Sequence, residues 1–323
     1  MPSLKEIKTR IASVESTRKI TSAMKMVASS KLHHAQMAIQ NMLPYENMLE
    51  HILKSFLIST PDAGSSLSIE RNKIKRVALV VYSSNSSLCG GFNNNVIRMM
   101  QQTIADYKAQ GIEDIVVYPI GRKVSEKVSK LGLTSGGDFS ELADSPDAVK
   151  CRDIAEELTT KYEKQEFDKV ELIYHHFKSA GSQVLTRRTF LPIDLSTENI
   201  GMYNDRDLSS NEATAEAQEY LREKGRVKQR EKTETIPLND DFIVEPDMPS
   251  VLSVLVPQLL NLMIYTALLD SNASEHAARM VSMQTATDNA DELLRELNLQ
   301  YNKSRQSAIT NELLDIVGGS VNR

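Results

Sequence analysis

Tryptophan is absent from these 323 residues, and aromatic residues together make up only 5% of them. A deep pocket walled by aromatic rings is therefore not what this composition builds. Methionine occurs 13 times, and its flexible thioether suits seams between helices. Cysteine is scarce as well. Cys89 and Cys151 are the only two, too few for a disulfide framework and without neighbours at metal-ligand spacing, which fits a reducing, cytosolic compartment. An excess of positive charge is lacking too. The net charge of -5 argues against a general nucleic-acid binder, whose footprint is a basic domain. The opening residues, MPSLKEIKTRIASVE, are charged and amphipathic rather than a short apolar core, so no export peptide is expected.

What is present is a pair of long periodic segments at the two ends. Leu4, Ile7, Ile11, Val14, Thr21, Ala28, Leu32, Ala35, Ile39 and Met42 recur in alternating steps of three and four, with Arg18 and Lys25 on the same stripe. That is the narrow stripe of a coiled coil. Pro2 suits a first helical turn and no further Pro or Gly precedes Pro44, so this rod runs for roughly 60 Å at about 1.5 Å per residue. After Pro249 the period resumes through Leu262, Leu269, Ala273, Met280, Met283, Leu294, Leu297, Tyr301, Ile309, Leu313 and Val317, until Gly318 and Gly319 are expected to stop it. Residues 250–317 would span roughly 100 Å as one helix.

Neither stripe can be buried by its own helix, so the two are expected to pair as an antiparallel coiled coil, with the longer C-terminal helix projecting beyond its partner. Residues 248–269 carry no charge, a length that approaches a membrane span. Pro249, Pro257, Gln258 and Asn261 interrupt that run, and it reads as a helix buried by protein, with a transmembrane span as the alternative.

Between the ends the period changes. Residues 77–82 (VALVVY) read as a buried strand and 114–120 (DIVVYPI) as a second strand, 95–110 and 122–131 as helices closed by Gly111 and Gly132, 145–165 as a further helix, and 170–177 and 183–191 as strands. This alternation predicts a small α/β domain of Rossmann-like order on a parallel-type sheet. The expected architecture is thus α/β plus a long antiparallel coiled coil. Its parts are an N-terminal shaft helix over 1–60, an α/β domain over 74–195, a charged insertion over 199–245 and a C-terminal shaft helix over 249–318.

Few residues offer chemistry. The loop 83–93 (SSNSSLCGGFN) lies where a nucleotide-binding loop would, after a first strand and before a helix. It matches neither G-x-G-x-x-G nor a Walker loop, and no acidic residue ends the second strand to hold a ribose, so it reads as a structural turn. His33-His34 and His175-His176 are neighbours that point to different sides, make no single metal site and read as surface or interface residues. Cys89 reads as a packed thiol, and Arg187-Arg188 and the basic run 222–232 as solvated faces. No catalytic residue, cofactor site or metal site is assigned. Arg279, Gln284, Thr285, Asp288, Asn289, Arg305, Gln306 and Thr310 are polar positions that the seam does not require.

Two blocks carry a resemblance: residues 5–31 (KEIKTRIASVESTRKITSAMKMVASSK), and 274–291 (SEHAARMVSMQTATDNAD) with 301–318 (YNKSRQSAITNELLDIVG). With the 88–93 loop (LCGGFN), they make the chain resemble the gamma subunits of bacterial F-type ATP synthases over nearly its whole length, except about 204–240. Ser and Asn stand just upstream of that loop where the family commonly has Asp-Arg-Gly.

The resemblance implies a non-catalytic rotor shaft inside a hexamer of three alpha and three beta subunits, with its α/β foot against epsilon and the membrane c-ring, at the cytoplasmic face of the bacterial inner membrane. It also implies that proton flow through the ring is coupled by rotation to ATP chemistry in beta. Met24 and Lys25 fall where the family's shaft passes an acidic lever of beta, and Arg279, Arg305, Gln306, Thr310 and Glu312 fall at polar contacts with the alpha/beta ring. The small residues Ala23, Ala28, Ala286 and Ala290 would keep the shaft slim. Residues 199–245 contain no cysteine, unlike the insertion of plastid relatives, so no thiol switch is expected. Two other readings stay open: a nucleotide-binding enzyme on the Rossmann-like middle with coiled-coil oligomerisation arms, and a static coiled-coil scaffold.

Overall fold

The computed structural model describes residues 3–59, 67, 71, 74–193, 244, 245 and 247–321. The basic run 222–232 and most of the charged insertion, like Pro2, lie outside the described residues. Ser3 and Glu6 open the first helix, α1 (Leu4–Ser59), with a reciprocal pair of bonds: the Ser3 amide donates to Glu6 Oε2 at 2.9 Å and the Glu6 amide to Ser3 Oγ at 3.3 Å. This capping box satisfies backbone donors that a helix start otherwise leaves unpaired.

The elements that follow are β1 (Arg76–Tyr82), α2 (Phe92–Ala109), β2 (Asp114–Ile120), α3 (Arg122–Lys130), β3 (Thr134–Ser135), α4 (Ser140–Asp144) and α5 (Ala148–Glu163). β4 (Lys169–Ser179), β5 (Ser182–Leu191) and the 74-residue helix α6 (Met248–Val321) complete the chain. Asp247 starts α6 by accepting from the Ser250 amide at 2.8 Å.

Both rods run further than their punctuation suggests. α1 passes through Pro44, and α6 passes through Pro257 and through the glycine pair expected to end it. A proline removes one rung of a long ladder, and glycine in a helix costs about 1 kcal/mol without forbidding the conformation.

The chain divides into two compact units, Met1–Ala28 with Arg279–Arg323, and Ser29–Ala278. In the first unit α1 and α6 lie antiparallel. Thr21 Oγ1 is 2.8 Å from Thr287 Oγ1, and Arg18 Nη1 meets Asp291 Oδ1 at 2.9 Å, so each step back along α1 is matched by a step forward along α6. The stripe positions of α1 here, from Leu4 and Ile7 through Thr21 to Ala28, are all buried or half-buried, with Glu15, Ser22 and Met24 half-buried beside them. That register uses up α1 near Arg305. Ile309, Leu313 and Leu314 are accordingly exposed at 49%, 57% and 63%, although Ile309 and Leu313 continue the apolar period.

In the second unit the sheet has the order β3-β2-β1-β4-β5. β1 pairs in parallel with β2 and β4, and β2 with β3, as the alternating pattern predicts. β5 is antiparallel to β4 because residues 180 and 181 alone join them, too short a connection for a parallel crossover. β1 is buried on both faces, which is why 77–82 reads as an unbroken apolar run. One face packs on α2 and α3 around Val77, Leu79, Val96, Met100 and Val124. The other packs on α5 and on stretches of α1 and α6 around Tyr82, Leu158, Leu49, Leu260 and Ile264. Residues 259–277 of α6 are buried almost throughout. The charge-free stretch thus belongs to the core helix of an α/β unit.

Candidate functional site

Two regions compete for function: the polar faces of the paired helices and the carboxyl end of the sheet. In an open α/β sheet a ligand sits where neighbouring strands send their connections to opposite sides, here between β1 and β4. Residues 83–91 occupy that end. Ser84 is fully buried, and its amide donates to Asn93 Oδ1 at 3.0 Å while its hydroxyl donates to the Ser86 carbonyl at 2.6 Å. Asn93 Nδ2 reaches the Ser86 carbonyl at 3.2 Å and Cys89 Sγ at 3.2 Å.

The amides at the start of α3, the donors a phosphate would use, are engaged by the chain itself. The Arg122 amide donates to Asn85 Oδ1 at 2.8 Å and the Val124 amide to Ser83 Oγ at 3.1 Å. Gly121, at φ 104°, allows this approach, since a Cβ there would lie 2.1 Å from the Ser83 carbonyl oxygen. The loop binds its own polar groups, as the reading of 83–93 as a structural turn requires. The thiols match that picture. Cys89 is 2% exposed, and burial, with Asp147 nearby, pushes the Cys151 thiol up to about 12. Among the described residues no three His, Cys, Asp or Glu side chains are grouped to hold a metal.

Several polar residues lie deeper than their sequence context implies. His33 and His34 are exposed, but His175 and His176, read as surface or interface residues, are 3% and 4% exposed in β4. The strand is covered on both sides, so neighbours that point oppositely are both buried. His175 stacks on Phe92 with ring centroids 4.4 Å apart, and burial lowers its pKa to about 4. His176 Nδ1 lies 2.9 Å from Asp270 Oδ2 of α6.

Arg187 is exposed, as a solvated face implies, and Arg188 is half-buried, but each meets a buried carboxylate. Arg187 holds Glu171 through two bonds of 2.7 and 3.0 Å, and Arg188 lies 3.7 Å from Glu46 of α1. The available signal was an acidic residue ending a long apolar run, at Asp270, together with adjacent basic residues inside strand patterns.

On the paired helices, Met24, Lys25 and Arg279 are half-buried beside the seam. Arg305, Gln306, Thr310 and Glu312 are exposed on α6, beyond or at the point where α1 runs out. At about 100° per residue, Arg305 and Glu312 share one face and Gln306 and Thr310 another. Thr310 Oγ1 donates to the Gln306 carbonyl at 2.9 Å within its own helix. The fold thus groups these four on one helix end and keeps Met24 and Lys25 on α1. Ala28 and Ala290 are buried, Ala286 is half-buried and Ala23 is exposed.

Comparison with known proteins agrees along the full length. The family model described as ATP synthase matches residues 3–321. The ATP synthase gamma chain of Phocaeicola vulgatus is 51% identical over 321 residues, covering 99% of this chain and 100% of that one. Those of Bacteroides fragilis and Fusobacterium nucleatum are 50% and 34% identical with similar coverage. Among solved structures, a chain of the Euglena gracilis mitochondrial ATP synthase superposes with a TM-score of 0.58 at 16% identity, covering 98% of this chain and 93% of that one. A chain of the Tetrahymena thermophila central stalk and c-ring superposes with 0.54 at 24% identity, covering 83% and 99%. At those identities the superpositions speak to the fold alone. The full-length matches to curated relatives go further: the chain belongs to the ATP synthase gamma chain family.

Proposed function

We propose that this chain is the rotating central stalk of a bacterial F-type ATP synthase, a part that carries torque and does no chemistry of its own. Family membership supports the assignment. The observation that carries the mechanism is the unequal pairing of α1 and α6, which gives a rod with a different side chain set on every face and a single-stranded end. A rod of that kind, turned inside a ring of three alpha and three beta subunits, meets each beta subunit with a different surface. Differential contact is what shifts a population between nucleotide-binding states.

In this reading residues 1–60 and 249–318 form the shaft, 74–195 the foot that meets epsilon and the membrane c-ring, and 199–245 a charged insertion. Met24 and Lys25 pass the acidic lever of beta. Arg279, Arg305, Gln306, Thr310 and Glu312 make polar contacts with the surrounding ring, the two guanidinium groups being suited to charge-assisted bonds with carboxylates. Proton flow turns the ring, foot and shaft together, and the chain sits at the cytoplasmic face of the inner membrane through the complex. The self-satisfied loop 83–93 supports a foot without a nucleotide site.

The test is a reversible tether. With Arg279→Cys bonded to a cysteine placed on the facing beta loop, proton-driven ATP synthesis should stop and return on reduction. Full-speed synthesis while tethered would overturn the rotary reading.

A further inference from the structure

Within the unit formed by residues 29–278, the two long helices touch the sheet through more than apolar packing. Asp270 of α6 is 1% exposed in its side chain and meets His176 of β4, itself 5% exposed, at 2.9 Å. One turn on, Ser274 Oγ donates to the His175 carbonyl at 3.1 Å. Asn272, roughly 160° away around the helix, donates to the Ala143 carbonyl at the end of α4 at 2.9 Å. Glu46 of α1 lies 3.7 Å from Arg188 of β5, and Thr266 of α6 bonds the same carboxylate at 3.3 Å. Each helix is thus joined to one strand of the β4–β5 hairpin by a polar side-chain contact, and α6 is gripped on two flanks.

Stability alone does not call for this arrangement. A buried polar contact gains little over a well-packed apolar pair, because desolvation offsets the electrostatic attraction. What it adds is direction. Apolar faces resist separation but yield to small sliding and rolling of packed helices, whereas a directional hydrogen bond holds one geometry.

We propose that Asp270–His176 and Glu46–Arg188, with Ser274 and Asn272, are torsional keys: positioning residues that stop α6 and α1 from rolling against the sheet, so that torque crosses between foot and shaft helices without slip. The assignment rests on the rotary reading above. It makes a contrast within the same sheet. Glu171–Arg187 is also a charged pair, with the carboxylate buried and the guanidinium partly exposed, but it faces α2 through Tyr107, on the face of the sheet away from the long helices, so it carries no torque.

The experiment uses the assembled enzyme fixed by its alpha/beta ring, with a bead on the foot through Lys108→Cys at the exposed end of α2; Cys89 and Cys151 are buried and do not compete for the label. The angular variance of the bead in the stalled enzyme reports torsional compliance. It is expected to rise on the order of two-fold in Asp270→Asn/His176→Gln, by a smaller factor in Ser274→Ala, and not in Glu171→Gln/Arg187→Gln. A rise in all variants, or in none, overturns the torsional keys and leaves the rotary reading standing. A parent enzyme whose bead does not turn on ATP overturns the rotary reading instead. If the Asp270/His176 variant fails to assemble, Ser274→Ala against Glu171→Gln/Arg187→Gln decides by the same criterion.

Discussion

Thr21 and Thr287 meet hydroxyl to hydroxyl at 2.8 Å across the two long helices, at a seam position where an ordinary coiled coil would place a larger apolar side chain. Each hydroxyl also has a carbonyl of its own helix in reach, Arg18 at 3.0 Å and Met283 at 2.8 Å. Either threonine can therefore donate across while the other bonds back. The seam here is thin, polar and adjustable, unlike the apolar packing of α1 around Leu32 and Leu53.

That contrast separates two substitutions. Arg18 and Asp291 are 39% and 42% exposed in their side chains, so Arg18→Ala should cost under about 1 kcal/mol and nothing measurable in about 1 M salt. Leu32 is fully buried, and Leu32→Ala should cost about 2–5 kcal/mol at any salt. Urea unfolding at low and high salt measures both.

His175 predicts a pH effect. Burial lowers its folded pKa to about 4, and the unfolded value is about 6.5. The unfolded chain therefore binds more protons between those values. This group's contribution is complete above about pH 6.5 and falls as the pH drops toward 4, by up to about 1.4 kcal/mol per pH unit. His175→Phe keeps a ring against Phe92 and should flatten that slope in unfolding midpoints taken from pH 7 to 4. An unchanged slope would assign the dependence to other groups.

Glu171 behaves in the opposite chemical sense. Burial favours its neutral form, but bonds from Arg187, with Tyr107 and Lys169 alongside, outweigh it and hold the carboxyl below its ordinary range. Its stabilising share is present above the ordinary Glu value of about 4.3 and is lost as the pH falls through the lowered one. Arg187→Ala at neutral pH leaves the buried carboxylate with Lys169, at 3.0 Å, as its remaining cation and should cost about 1–3 kcal/mol, whereas Glu171→Gln/Arg187→Gln should cost less. Thermal melts of the three chains test the order.

The exposed end of α6 should contribute nothing to the fold of the isolated chain. Ile309→Ser with Leu313→Ser is expected to change the unfolding free energy by less than about 0.5 kcal/mol, since both side chains already face solvent. A larger loss would mean that another part of the chain covers them.

Gly121 stands at the other extreme. Its φ of 104° and the Ser83 carbonyl 2.1 Å from any added Cβ leave no room for Gly121→Ala, which should abolish recovery of soluble chain on expression.

Local periodicity told most about this protein. The steps of three and four from Leu4 to Met42 named the face of α1 that is buried, and the unbroken run at 77–82 named a buried strand, because a side chain's direction follows from its own place in a helix or strand. The unequal lengths of the end segments likewise implied a helix outrunning its partner, and the terminal blocks implied the family. Which apolar residues the partner leaves uncovered was not readable, since it depends on the register that Thr21 and Thr287 set. Nor was the fate of His175, His176, Arg187 and Arg188. His176 lies 94 residues from Asp270, and a charge reads as solvated until the chain brings a distant counter-charge against it. A period repeats every few residues and belongs to the chain, whereas a counter-charge belongs to the topology, and only the folded sheet with its helices brings those groups together.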